Sequence, residues 1–225
     1  MKILKTLLVL GGLAVGLHQA GATLISTHTS VGQTVTDNNA SGIVSTFFNS
    51  STSISSITNV RVNITMTGGF NGDLYAYLTH EGATAILLNR IGTTGSGTFG
   101  SSQDGMNVWF QDGVGAANVH TNVGNLGVGS TYGSDGRYAS PTDLTAVNNA
   151  SATRTLSGFN GQQAFGTWTL FVADLSGGAV STLSSWDLEV SGVPEPVNVA
   201  LMILCGCFII GHCIKWMKRK PTAAA

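Results

Sequence analysis

Lysine and cysteine are both missing from the middle of this chain. Between Thr23 and Val193 there is neither; the five Lys sit at the two ends, and the three Cys (Cys205, Cys207, Cys213) fall in one apolar segment near the C-terminus. A region without Cys has no disulfide to staple it, so its stability must come from a buried core or a bound ion. The same region sets four Arg against ten acidic residues, a net of −6 that the whole-chain value of −1 conceals. An acidic surface without Lys repels phosphate, which excludes nucleic acid as a partner. Charge of either sign is scarce, at 9% of residues, and the helix formers Glu and Lys are few, whereas Val, Ile, Thr and the 30 Gly recur in short runs. That balance disfavours a helical bundle and predicts an all-β domain. With 225 residues there is room for one sizeable core and flanking targeting segments.

What is present is alternation. Thr167 to Ala173 and Leu183 to Val190 each carry one Trp, and period-two spacing puts Trp168, Leu170 and Val172 on one face and Trp186, Leu188 and Val190 on another. These read as core strands separated by a Gly/Ser-rich loop that opens with Asp174. Ile57 to Thr67 alternates Val60, Val62, Ile64 and Met66 with polar residues, predicting a half-buried strand. Gly68-Gly69-Phe70-Asn71-Gly72 has hairpin-turn composition, so Ile57 to Asn89 is expected to be a meander of three strands, continuing through Asp73 to Leu78 and Thr84 to Asn89. Thr23 to Ser53 is polar apart from Ile43 to Phe48 and predicts edge strands and loops. Ile91 to Asp143 is Gly-rich and predicts long loops, with short strands at Val108 to Phe110 and Ala117 to Val119.

The two ends predict traffic. Residues 1–22 have the three parts of a secretory signal: Lys2 and Lys5, the apolar run Leu7 to Leu17, and Ala20-Gly21-Ala22 as a small-residue site for cleavage after Ala22. An eleven-residue apolar core is too short to span a bilayer, which needs about 20 residues. Passage through the Sec translocon and removal by signal peptidase are therefore expected. At the other end, a domain over 23–192 gives way to Val193-Pro194-Glu195-Pro196, then to apolar residues Val197 to Cys213. Lys215, Lys218, Arg219 and Lys220 follow. The pattern predicts one transmembrane helix over 197–217 and a basic cytoplasmic tail over 218–225, with the body outside the cytoplasm. Cys in such a helix serves as a small, weakly polar filler, or near the basic flank as a lipidation site.

Catalytic and cofactor motifs fail their context tests. Gly95-Ser96-Gly97-Thr98-Phe99-Gly100 has the dinucleotide spacing, but loop residues follow where a helix must hold the phosphate. His28, His80 and His120 are scattered among many Ser with no G-x-S-x-G elbow, and read as surface or turn residues. No catalytic residue is assigned, and the expectation is a non-enzymatic protein. Asp73 after a turn and Asp174 at a strand end are hard oxygen ligands of the kind Ca²⁺ takes, and equally the residues that close Asx turns without metal.

Phe159-Asn160-Gly161, Gly166-Thr167-Trp168-Thr169-Leu170, Val172-Ala173-Asp174 and Leu183-Ser184-Ser185-Trp186-Asp187-Leu188, with Gly72-Asp73-Leu74, resemble the P (Homo B) domain of subtilisin-like proprotein convertases. The resemblance implies a jelly-roll-type β-sandwich and an association with a serine endopeptidase. Val193-Pro194-Glu195-Pro196 before an apolar segment and basic residues resembles a PEP-CTERM sorting signal. That resemblance implies an exosortase-type membrane enzyme as partner, processing near Pro194, Glu195 and Pro196, and delivery to an envelope or matrix with exopolysaccharide. Together these predict exported cargo with a structural or binding role. A P domain serving a separate protease, or a Ca²⁺-dependent carbohydrate binder, are the alternatives.

Overall fold

The structure is a computed structural model and describes residues 23–93, 99–113, 115–194, 204–210, 212 and 215. Among the described residues nine strands make two sheets, as the scarcity of helix formers predicts. They are β1 (Thr23–Val35), β2 (Asn39–Asn49), β3 (Ile54–Gly68), β4 (Leu74–His80), β5 (Ala83–Asn89), β6 (Met106–Gln111), β7 (Leu126–Tyr132), β8 (Gly166–Asp174) and β9 (Ser181–Pro194). The first sheet has the order β1-β9-β3-β6-β7 and the second β2-β8-β4-β5, antiparallel except for the parallel pair β6–β7. Within the sandwich, a short helix, α1 (Leu144–Asn149), is capped at its start by the Asp143 side chain, which accepts from the Ala146 N–H.

The two Trp strands are core strands, but they lie in opposite sheets and face each other across the core rather than pairing edge to edge. Trp168 and Trp186 are fully buried. The indole N–H of Trp186 on β9 donates to Ser45 Oγ on β2, 2.9 Å away, so one bond ties the two sheets together. Trp168 donates to the Ala164 carbonyl at 3.2 Å and stacks on His80, with ring centroids 3.9 Å apart. Leu183 and Trp186 are three residues apart, the wrong parity for one face. A bulge opposite Thr65 and Met66 absorbs the extra residue and turns both inward.

Three expectations are corrected. Ile57 to Asn89 is not a meander: β3 belongs to the first sheet and β4–β5 to the second, so Gly68 to Gly72 is a corner between sheets and not a hairpin turn. Gly68 and Gly69 have φ of +69 and +67, which lets the chain turn there, and the short 3-10 helix Asn71–Asp73 completes the change of layer. Ala117 to Val119 is not a strand; Asn118 caps a 3-10 helix over Val119–Thr121, while the second strand of this region lies instead at Leu126–Tyr132. His80 and His120 are buried rather than superficial, because each finds partners for its ring nitrogens inside the fold.

The sandwich runs two residues past position 192, since β9 ends at Pro194. The expected leader, residues 1–22, lies outside the described residues, as do Glu195, Pro196, most of 197–217 and all of 218–225. Within the predicted span, 204–210 are helical; among the described residues no helix is long and apolar enough to cross a membrane.

Candidate functional site

Asp73 and Asp174 are brought to one end of the second sheet, as neighbours across a register: Leu74 pairs with Asp174, and the Leu175 N–H donates to the Asp73 carbonyl at 2.9 Å. Asp174 also pairs with Asn39, which brings Asp37, just before β2, to the same corner. The Asp174 carboxylate accepts from the Ser176 N–H at 3.3 Å, closing an Asx turn, and from the Ser181 hydroxyl at 3.5 Å. Asp37 accepts from the Gly178 N–H at 3.1 Å through Oδ2, while its Oδ1 is buried with no hydrogen-bond partner. The Gly/Ser-rich loop is thus held at both ends by carboxylates.

Arg90 supplies the countercharge. It is buried at the end of β5, donates from Nε to the Gly72 carbonyl at 2.8 Å and places Nη2 3.5 Å from Asp73 Oδ1. Burial pushes the Asp174 carboxyl up to about 6, with Asp73 and Asp37 adding repulsion and the Ser176 and Ser181 hydrogen bonds opposing it. Asp73 is raised as well, chiefly by burial, against the pull of Arg90. Burial lowers Arg90, and the two carboxylates hold it up. The corner gathers three carboxylates and one guanidinium, which reaches Asp73. Among the described residues no group of three or more His, Cys, Asp or Glu side chains is arranged to hold a metal ion. Asp37 and Arg90 were not legible as members: Asp37 is one Asp in a polar stretch, and Arg90 follows a strand, where a cation ordinarily faces water.

A second buried polar cluster gathers around Asp135. Its carboxylate accepts from the Asn89 N–H at 3.2 Å, the His120 ring at 2.8 Å and the Arg137 backbone at 3.2 Å. The other His120 nitrogen meets Asn148 Oδ1 at 3.2 Å, so no hydroxyl is available to that ring as a nucleophile. These bonds brace the loops over the edge of β5, where Gly136 and Arg154 also pair with Ile86. On the opposite side of the molecule, Ser30 Oγ lies 3.3 Å from His28 Nε2, and His28 Nδ1 lies 2.6 Å from Asp187 Oδ1. This Ser–His–Asp line sits on an exposed sheet face. A cavity of about 350 Å³ lies elsewhere, between Thr58, Asp112, Ser157 and Asn160, and both Asp112 oxygens there accept bonds from Ser134 and Ser157.

Of the residues expected at the processing junction, Pro194 is placed: it lies in β9, buried and paired with Ile54. Ala22, Glu195 and Pro196 lie outside the described residues, as do 95–98 of the glycine-rich motif.

No protein-family profile matches the chain, and no curated protein matches its sequence. Among solved structures, the serine protease of Aeromonas sobria in complex with its chaperone is similar at 16% identity and a TM-score of 0.45, over 83% of this chain and 30% of that one. The crystal structure of the same protease alone gives 16% identity and 0.45, over 80% and 29%. This chain spans under a third of the length of the chains it matches.

Proposed function

We propose that this is a non-enzymatic, exported β-sandwich carried to the cell envelope as exosortase-type cargo, held by a single C-terminal span with its body outside the cytoplasm, and passed to the surface or matrix when the tail is processed. The carrying observation is the succession of a leader, a single domain and a Pro-Glu-Pro junction before an apolar segment and basic residues. Two features support it. The strand order, one-nine-three-six facing two-eight-four-five, fits the jelly-roll arrangement expected of a P-like domain. Thr23 also pairs with Gly192, so the first strand begins beside the strand that leads to the junction with the tail. The test is removal of Glu195 and Pro196 with Pro194 kept. Cargo should then stay in the membrane fraction; undiminished release would remove the sorting claim.

The binding role we assign to the outer face of the second sheet, as a contact for exopolysaccharide. Val44, Phe171 and Tyr77 form one row across β2, β8 and β4, with the rings of Tyr77 and Phe171 stacked 4.7 Å apart. Thr46, Thr169, Thr79 and Thr84 form the next row. Aromatic planes beside hydroxyls, in rows that carry no carboxylate or cationic side chain, suit a neutral sugar chain, whose rings have apolar faces and polar edges. Ca²⁺ enters this reading in a narrow form. An ion at Asp73 and Asp174 would compete with the Arg90 guanidinium, and melting with and without chelator decides it. The alternative, a P domain serving a subtilisin-like endopeptidase, is tested by casein hydrolysis with full-length protein. Inhibitor-sensitive activity lost in Ser30→Ala would overturn the non-enzymatic reading.

A further inference from the structure

β3 is flanked along its length by β9, but on its other side by two pieces of chain that do not meet. β6 pairs with it only from Arg61 to Met66. Nearer its start, the Ile57 N–H donates to the Gln162 carbonyl and the Gly161 N–H to the Ile57 carbonyl, each at 2.8 Å. Between those pieces Thr58, Asn59 and Val60 have no strand beside them on that side among the described residues. β3 also bulges there, since its register with β9 slips between Ile57 and Asn59. This break in the ladder is the floor of the cavity of about 350 Å³. Asp112 and Gly113, leaving β6, make one wall; Ser157 and Asn160, from the 3-10 helix Leu156–Phe159 and the residue after it, make the other.

One carboxylate fixes the walls to each other. Asp112 Oδ1 accepts from the Ser134 N–H at 3.2 Å and from its hydroxyl at 2.8 Å, while Oδ2 accepts from the Ser157 N–H at 2.8 Å. A cavity held open by its own bonds does not have to be ordered by a ligand. Its lining narrows what can enter. Val60 is the one apolar side chain there among the described residues, so an apolar molecule gains little. No Lys, Arg or His among those residues lines it and a carboxylate does, so an anion is repelled. Ca²⁺ takes about six to eight oxygens, and here there is one carboxylate, already accepting three hydrogen bonds. What fits is a neutral molecule rich in hydroxyls, each of which can donate to a carboxylate and accept from an amide. Two carboxylate oxygens offer about four acceptor sites, so Asp112 has capacity beyond its three bonds. Asn59 uses Oδ1 to accept from Gln111 at 3.5 Å and keeps its NH2 to donate, and Asn160 is exposed at the rim. We propose that this cavity binds one neutral hexopyranose ring, with Asp112 accepting from a ring hydroxyl and Asn59 and Asn160 donating to others. It is built on the first sheet and stands apart from the aromatic face of the second. A free monosaccharide and the end of a sugar chain present the same hydroxyls to it.

The test is saturation-transfer NMR on full-length protein in a sugar-free detergent, with glucose, galactose and mannose as probes and then a linear tetrasaccharide of the one that binds. Wild type should transfer saturation to at least one of these hexoses. Asn160→Ala, at an exposed position, should weaken that binding roughly five-fold, and Asp112→Asn by more. Transfer confined to a terminal ring of the tetrasaccharide identifies a chain end, and transfer to the free hexose alone identifies a soluble sugar; both support the site. Transfer to internal rings would overturn it, as would silence with every hexose or unchanged binding in Asn160→Ala. Loss of the signal in chelator would overturn it too, because a metal ion would then stand between Asp112 and the sugar. If Asp112→Asn does not fold, wild type and Asn160→Ala still decide. Tyr77→Ala with Phe171→Ala should leave the transfer intact. Its loss in that variant would move the sugar to the second sheet and refute the cavity, whereas intact transfer without retention on polysaccharide would count against the sheet face alone.

Discussion

The outer faces of the two sheets are built by the same alternation and chosen for opposite chemistry. On the first sheet the outward residues are charged and polar: His28 against Asp187, Arg61 against Glu189 at 2.9 Å, Asn63 bonded to Asn107, and Trp109 under the Arg61 guanidinium at 4.3 Å. On the second they are Val44, Phe48, Tyr75, Tyr77 and Phe171 with a row of Thr. Residues facing the core are interchangeable in kind between the sheets, whereas those facing out are not. The core accounts for folding, and the difference between faces is where function is to be sought.

That comparison can be broken or sharpened by experiment. The largest effect belongs to the shared interior. Trp186→Ala should cost about 3 to 5 kcal/mol, for it empties a fully buried site and cuts the bond to Ser45 that joins the sheets, and urea unfolding measures it. Next comes the corner that belongs to neither face. The folded Asp174 carboxyl titrates near 6 against the ordinary 3.8, so the native state holds the proton more tightly than the unfolded chain. Its contribution is most favourable below about pH 4, is lost as pH rises toward 6 and is level above, a swing of up to roughly 3 kcal/mol. Asp174→Asn should flatten this slope in melts taken across that window and raise stability at neutral pH. A steeper slope would count against burial as the cause.

Smaller effects test the faces directly. Tyr77→Ala with Phe171→Ala should cost only about 1 kcal/mol in stability, since both rings are half-exposed, yet abolish retention on insoluble polysaccharide. Trp109→Ala on the other face should leave retention unchanged; loss there would undo the contrast between faces. Smallest of all, Arg61→Ala should cost under about 1 kcal/mol, and less in high salt, as a half-exposed ion pair does. A large, salt-independent cost would mean that the charged face is structural after all.

Alternation was readable wherever inward positions are aliphatic or aromatic, as in β3, β8 and β9. It was weak in β1, whose inward positions include Thr27 and Thr29 as well as Ile25 and Val31, and in β7, where Gly127 and Gly129 interrupt the run. Layer assignment could not be read from local sequence at all: a Gly-rich turn specifies a change of direction, not whether the next strand stays in the sheet, and Gly68-Gly69 leads out of it. At the candidate corner, Asp73 and Asp174 were visible because each stands at the edge of an apolar run. Asp37 and Arg90 join them only through the pairing of β2 and the close of β5, which is long-range information.

The adjacency of β1 and β9 has a consequence in time. β9 lies between the first strand and the third, so the first sheet cannot be completed until residue 194 has been delivered. Contacts of such long sequence separation close late and slowly. A chain threaded outward from its N-terminus would therefore hold β1 and β3 without their shared neighbour until the last part of the domain emerges, and the sheet would close as the junction with the tail comes out. The domain would reach its folded state while its own C-terminal segment is still at the point of exit.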